Sequence, residues 1–278
     1  MIASIAAELL LLRKRTGVWV LLAIWAALSA FFGYLLPYLV YRSVAAGPVR
    51  APLTQLLPQH VVENLAGSFP FFGGAIVLIL GVLAFGSEYG WGTFKTLFTQ
   101  RPGRLQVFAA KVLALGLALI PFVLIVFVLG AAWGTLIGRV EGAAISAPAA
   151  LAVVRALLAG WFILAVWAAF GVALAVLTRG AGLAIGVGVL YALAIEGLFS
   201  GFANEVALLR PIVKGLVRAN AYSLVKPLSG SSAASAGAGP GFFTGPFVPS
   251  EQAFVVLAIY LAVFLGLAAL LLLRRDVA

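Results

Sequence analysis

Few side chains in this sequence could carry out chemistry, and those that could are widely separated. His60 is the single histidine, and Glu63 follows it at a spacing that places both on one side of a helix. One histidine and one carboxylate provide half of a typical zinc site, so we expect no metal site within one chain. A hydrolase triad would need His60 and the only aspartate, Asp276, on the same side of the protein. The topology predicted below puts them on opposite sides.

The sequence also lacks the residues needed for thiol chemistry and for a phosphate-binding loop. It has no cysteine, which excludes disulfides, thiolate metal sites and cysteine nucleophiles. It has no G-x-x-x-x-G-K-[ST] loop, so we do not expect the chain to hold ATP as a phosphate-loop protein does. We therefore predict no catalytic residue and no cofactor in this chain.

Two charged residues near the ends of apolar segments are candidates for an intramembrane role. Glu196 lies in VLYALAIEGLFSG, and Arg155 lies near the start of the preceding apolar segment. Ionisable groups in a membrane-spanning segment are costly and are often functional. A Glu196–Arg155 pair is conceivable. The alternative interpretation is that Glu196 simply reaches the membrane interface.

The composition identifies the elements that must position these residues. Hydrophobic residues make up 64% of the chain and charged residues 9%, whereas a soluble domain is about half apolar and a quarter charged. The apolar runs are continuous and long enough for helices that cross a bilayer, unlike the alternating strands of a membrane barrel. We therefore predict an all-α integral membrane protein. The net charge of +10 fits basic residues at cytoplasmic helix ends, and we expect no nucleic-acid binding.

Six membrane-spanning helices are predicted, at residues 17–40, 69–85, 109–134, 151–177, 181–200 and 253–273. Residues 1–16 form a predicted interfacial helix, with Ile2, Ile5, Leu9 and Leu12 on one face and Ser4, Glu8 and Arg15 roughly opposite. An even number of spans puts both termini on one side. Basic residues are denser there, which predicts cytoplasmic termini in a multi-pass protein of the cytoplasmic membrane.

Two outer segments are long, residues 41–68 and 201–252. Within the second, residues 205–226 could lie on the outer leaflet, and the Gly/Ser-rich residues 228–246 predict a flexible segment. Small residues also recur on the predicted helices. For the pair Gly182-x-x-x-Gly186, packing within the chain is favoured over a dimer interface.

The stretch GSEYGWGTFKTLFTQRPGRLQVFAAK, residues 86–111, concentrates polar groups between two apolar runs. We predict that the second spanning helix ends at Gly86, that Thr93 caps a short amphipathic helix, and that Pro102-Gly103 stops it. From Arg104 the chain runs helically into the third span. Glu88 and Lys111 are expected to pair with each other or with a partner. The short helix either docks on a cytoplasmic partner or rests on lipid headgroups, and the residues alone leave both open.

This stretch resembles the cytoplasmic loop of ABC-2-type permeases, the membrane subunits of one group of ATP-binding-cassette transporters. The residues that carry the resemblance are, in order, Glu88-Tyr89, Gly92-Thr93, Leu97-Phe98, Pro102-Gly103-Arg104 and Lys111. The similarity is close over this loop. It extends loosely to the whole chain, residues 1–278, through the six spans, the N-terminal helix and the long outer loop, as one transmembrane domain.

The resemblance implies a permease subunit that exports cargo across the cytoplasmic membrane. It implies a separate ATPase subunit that holds ATP and Mg, a second permease chain, identical or paralogous, and surrounding membrane lipid. Residues 86–108 would be the coupling loop. The residues implied in coupling to the ATPase are Glu88, Tyr89, Gly92, Thr93, Phe94, Leu97, Phe98, Arg101, Arg104 and Lys111.

The family handles drugs, antibiotic peptides, lipids, polysaccharides and ions, so the cargo stays open. The main alternative is a non-transporting membrane anchor or assembly subunit, whose loop at 86–111 would tolerate mutation. A secondary transporter is a third reading, but the sequence shows neither an internal repeat nor a central membrane charge.

Overall fold

A computed structural model describes residues 1–43, 52–90, 103–203, 205–228 and 247–274. The described residues form helices and contain no strand. A short N-terminal helix, α1 (Ile2–Lys14), precedes the first span, α2 (Thr16–Ser43). After α3 (Val61–Leu65) come the spans α4 (Phe69–Tyr89), α5 (Arg104–Val140), α6 (Ala150–Thr178) and α7 (Ala181–Phe202). The short helices α8 (Leu209–Gly215) and α9 (Val217–Val225) then lead to the last span, α10 (Ser250–Arg274).

Within the described residues, six helices are long and apolar enough to cross a membrane, which confirms the predicted all-α membrane fold. Five agree with the predicted bounds to within about four residues, whereas α5 extends further at both ends. Its 37 residues rise about 55 Å, well beyond the roughly 30 Å of bilayer hydrocarbon. We call the end of the bundle that holds α1 the α1 end, and the opposite end the distal end.

The helices α4 and α6 form the centre of the bundle. They approach closely because Gly81 and Gly171 leave out side chains where the helices cross. A β-carbon at Gly81 would overlap the Ala168 carbonyl, and one at Gly171 would overlap the carbonyl of Leu78. The spans α7 and α10 lie at the edge and bury much less of their surface. Small residues on α4 and α6 therefore pack within the chain.

The pair Gly182 and Gly186 behaves differently. A β-carbon at either position would have no described atom within 4 Å. The prediction that this pair packs within the chain is therefore wrong for the residues the structure describes. The pair lies on an open face of α7.

In the part of the chain that the structure describes, three spans contain a π-helical turn that we did not predict: Phe31–Leu35 in α2, Phe69–Gly73 in α4 and Leu190–Ile195 in α7. Such turns are rare and often lie at functional sites. At the first of them, Asn64 Nδ2 donates to the Gly33 carbonyl at 2.7 Å. All three lie in the distal half of the bundle.

The distal segments pack into the protein instead of lying on its surface. Residues 53–65 fit against glycines of α5, where a β-carbon at Gly134 would lie 2.9 Å from Pro58 N and 3.0 Å from the Leu56 carbonyl. The helix α9 contacts α10, α6 and the first turn of α4. Its residues Val217 and Arg218 are buried. The prediction that residues 205–226 lie on the outer leaflet is therefore wrong for α9. Most of residues 228–246 lie outside the described residues.

Candidate functional site

The loop that joins α4 to α5 carries the predicted site, and the structure describes its two ends. The helix α4 continues past Gly86 to Tyr89, so Glu88 and Tyr89 are helical and the predicted helix end at Gly86 is wrong. The helix α5 begins at Arg104, as predicted, and Lys111 lies two turns inside it. The remaining candidates lie outside the described residues, so their predicted short helix stays a prediction: Gly92, Thr93, Phe94, Leu97, Phe98 and Arg101.

Lys111 lies at the centre of a buried cluster of four charged side chains. Its Nζ donates to Glu88 Oε1 and, at 2.8 Å, to Glu8 Oε2. Arg15 Nη2 lies 4.0 Å from Glu88 Oε1. We name Glu8, Arg15, Glu88 and Lys111 the charge cluster. The predicted Glu88–Lys111 pair is formed within the chain, and it has two further members that the sequence analysis did not include.

Because the charge cluster is largely buried, its balance of opposite charges matters for stability. The side chains of Lys111 and Glu88 are 3% and 5% exposed, and those of Glu8 and Arg15 are 16% and 20% exposed. Moving an ion out of water costs several kcal/mol, which only close and well-bonded opposite charges offset. Two carboxylates and two cations make the cluster formally neutral. The ring centroid of Phe85 lies 5.8 Å from Lys111 Nζ and adds a cation–π contact.

Arg15 reaches the charge cluster because the chain turns sharply between α1 and α2. Its backbone is extended (φ −76°, ψ 117°), and its guanidinium points to the last turns of α4. There Nη1 donates to the Leu83 carbonyl at 2.7 Å and to Ser87 Oγ at 2.9 Å. A cation is favourable near the C-terminal end of a helix, where carbonyls lack helical partners. Arg15 therefore joins the first span to the end of α4.

Glu8 enters the cluster because α1 docks on α5 with an unexpected face. Ile5, Glu8, Leu9 and Leu12 all lie on the more buried side of α1, whereas Ile2 is 85% exposed. The prediction that Glu8 lies opposite the apolar face is therefore wrong. The spacing 5, 8, 9 and 12 follows one helical stripe. An acid inside such a stripe was the available signal that a basic partner lies elsewhere in the chain.

The second candidate, Glu196, is buried at the distal end and does not reach the interface. It is 0% exposed, and its Oε2 accepts from the backbone N of Arg218 at 2.8 Å. The Arg218 guanidinium donates through Nη1 to the Ala192 carbonyl at 3.3 Å and lies 4.7 Å from the Phe71 ring centroid. Arg155 is exposed on α6. The structure thus places Glu196 beside Arg218, and the conceived pair with Arg155 is not formed.

His60 and Glu63 do meet at their predicted spacing, with His60 Nδ1 2.7 Å from Glu63 Oε2. Within the part of the chain that the structure describes, no group of three or more His, Cys, Asp or Glu residues is arranged to hold a metal. This pair therefore forms a local contact at the distal end.

Comparisons with known proteins show to which family the chain is related. A comparison with curated proteins found no match. The family described as ABC-2 family transporter protein matches residues 4–195, which span α1 to most of α7 and include every member of the charge cluster. That match covers more than half of the chain's 278 residues. The chain therefore belongs to the ABC-2 transporter family, as a multi-pass membrane protein of the permease type.

Proposed function

We propose that this chain is the permease subunit of an ABC transporter that exports a substrate across the cytoplasmic membrane. A separate ATPase subunit would bind and hydrolyse ATP with Mg. Family membership supports the permease role. The missing phosphate-binding loop supports placing ATP hydrolysis on another subunit.

The α1 end would face the cytoplasm. The basic residues Arg13, Lys14 and Arg15 lie there together, as the preference of Lys and Arg for cytoplasmic loops requires. The loop between α4 and α5 opens at the same end and would meet the ATPase subunit. Both termini would then be cytoplasmic.

The charge cluster is the observation that carries the coupling proposal. Lys111 binds Glu88 at the end of α4 and Glu8 of α1, while Arg15 binds the last turns of α4 from the start of α2. A displacement of residues 91–102 would move the adjoining ends of α4 and α5, which the charge cluster holds together. It would also move α1 and the start of α2, because the same buried side chains hold them. Coupling to ATP requires that the docked geometry differ between nucleotide states.

A second permease chain, identical or paralogous, would complete the transporter. The open face of α7 at Gly182 and Gly186 is a place where another helix could approach closely. The edge positions of α7 and α10 support the same proposal.

The test is to tag the chain, extract it in mild detergent and identify what co-purifies. We expect a stoichiometric cytoplasmic chain that carries a phosphate-binding loop. Replacing Phe94, Leu97 and Phe98 by Asp should remove it, because these are the apolar residues of the predicted coupling helix. The matched control is Leu208→Asp, an exposed apolar residue of the distal end, which should leave the ATPase bound.

Two results would contradict the proposal. The chain could purify without an ATPase, or the ATPase could stay bound after the triple substitution while the protein remains folded. The first result would favour the alternative of a membrane anchor or assembly subunit. The second would make residues 91–102 a segment that rests on lipid headgroups.

A further inference from the structure

An apolar cleft of about 280 Å³ runs along α5 where α1 and α2 pack against it. Its walls include Leu12 of α1, Leu22 of α2, and Ala118 and Phe122 of α5. Arg13 also lines the cleft, together with Trp19. The cleft therefore combines an apolar interior with a cation.

The interior suits a hydrocarbon chain better than water. The cleft lies where α1 packs against the spans α2 and α5, and apolar cavities without hydrogen-bonding partners stay dry. If the cleft were empty, the residues of its walls would lack the dispersion contacts that they make when it is filled. A flexible acyl chain of a bilayer lipid is an apolar group that could occupy the cleft.

The rim places the cleft at the level of the lipid headgroups. Trp19 Nε1 donates to the Arg13 carbonyl at 2.7 Å, and tryptophan is enriched at this depth of a bilayer. The side chains of Arg13 and its neighbour Lys14 are exposed. Among the described residues, Arg13 has no carboxylate within ion-pair distance. A phosphate group would complement this charge through the guanidinium.

We propose that this cleft binds one anionic phospholipid of the leaflet at the α1 end, with an acyl chain along α5 and the phosphate on Arg13. A second cleft, of about 390 Å³, lies between α5, α6 and α10 and includes Val112, Trp161 and Leu261. None of the described residues that line it is a cation. It therefore offers a comparison inside the same molecule, with acyl-chain space but no charge preference. The proposal does not depend on the transport function.

The test is native mass spectrometry of the purified protein with phosphatidylglycerol or phosphatidylcholine of identical acyl chains. We expect the native protein to retain one phosphatidylglycerol about fivefold more tightly than phosphatidylcholine, since a basic residue near the headgroups contributes about 1 kcal/mol. Arg13→Gln should bring the two affinities together. Arg139→Gln, which removes an exposed cation at the other end of α5, should leave the preference intact.

A second pair of variants tests the acyl-chain space. Ala118→Phe should fill the cleft and abolish retention of that one lipid. Ala132→Phe, at an exposed position of the same helix outside the cleft, should retain it. Unchanged retention in Ala118→Phe would overturn the proposal, as would a preserved preference in Arg13→Gln. Loss of a protein dimer instead of a lipid in Ala118→Phe would also overturn it, because the cleft would then be an interface between copies.

Discussion

Lys111 at the α1 end donates to carboxylates of two helices, whereas the guanidinium of Arg218 at the distal end meets a backbone carbonyl and an aromatic ring. Both cations are almost fully buried. At the distal end, Glu196 Oε1 and the Nε and Nη2 atoms of Arg218 have no hydrogen-bond partner among the described residues. Equal burial thus accompanies unequal hydrogen bonding. Both sets of charges join helices, since Arg218 of α9 also bonds Glu196 and Ala192 of α7, but the less complete hydrogen bonding leads us to expect that burying the distal charges costs more stability.

Removing Lys111 should have the largest effect, because it would leave Glu8 without its cation and Glu88 with only Arg15, which lies 4.0 Å away. We expect Lys111→Met to lower the free energy of unfolding by about 3–5 kcal/mol. Titration with a denaturing detergent, followed by circular dichroism, measures this change. Lys214→Met, at an exposed position, is the control and should behave like the native protein.

Adding Glu88→Gln to Lys111→Met should recover part of this loss, because it removes one of the two carboxylates that Lys111 neutralises in the native protein. Recovery would not be complete, since Glu8 still lacks its partner. A double variant no more stable than Lys111→Met would show that the effect of Lys111 is not electrostatic.

Removing the buried charges at the distal end should not lower the free energy of unfolding, in contrast to removing Lys111. Glu196→Gln combined with Arg218→Met removes two buried charges whose polar atoms are incompletely bonded. We expect the double variant to equal the native protein or to exceed its free energy of unfolding by up to about 4 kcal/mol. The same titration measures it, beside Glu88→Gln with Lys111→Met. A loss of stability at both ends would remove the distinction between the two clusters.

The smallest change in the free energy of unfolding is expected at two serines. Ser87 Oγ accepts from Arg15 at 2.9 Å as well as donating to Leu83 O within its own helix. Ser200 Oγ donates to the Glu196 carbonyl, one turn earlier in α7. We expect Ser87→Ala to cost about 1 kcal/mol and Ser200→Ala less. Thermal unfolding followed by size-exclusion chromatography can rank them, and a larger loss for Ser200→Ala would contradict the comparison.

The spans and the pairing of Glu88 with Lys111 could be predicted from the sequence. The spans follow from continuous apolar runs, and the two charges flank one loop, so their proximity required only that α4 and α5 be neighbours. Glu8 and Arg15 escaped prediction because their contacts depend on how α1 docks, and Glu8 is 103 residues from Lys111.

The distal end was less predictable for the same reason. The partner of Glu196 comes from a helix that begins 21 residues later and packs inward, against the expectation of a surface segment. The π-helical turns arise where helices adjust to one another, and no residue pattern in the sequence marks them. The open face at Gly182 and Gly186 likewise depends on which neighbours α7 has.

The length of α5 has a mechanical consequence. Its first turns hold Lys111, and its last turns hold Gly130 and Gly134 against the distal segment 53–65. Near its midpoint, Pro121 lacks the backbone donor that would bond the Leu117 carbonyl. A helix about 55 Å long that lacks one backbone hydrogen bond near its middle can bend more easily there than elsewhere. Bending at Pro121 would change the angle between the half that holds Lys111 and the half that packs on residues 53–65, so one helix joins the contacts at both ends of the bundle.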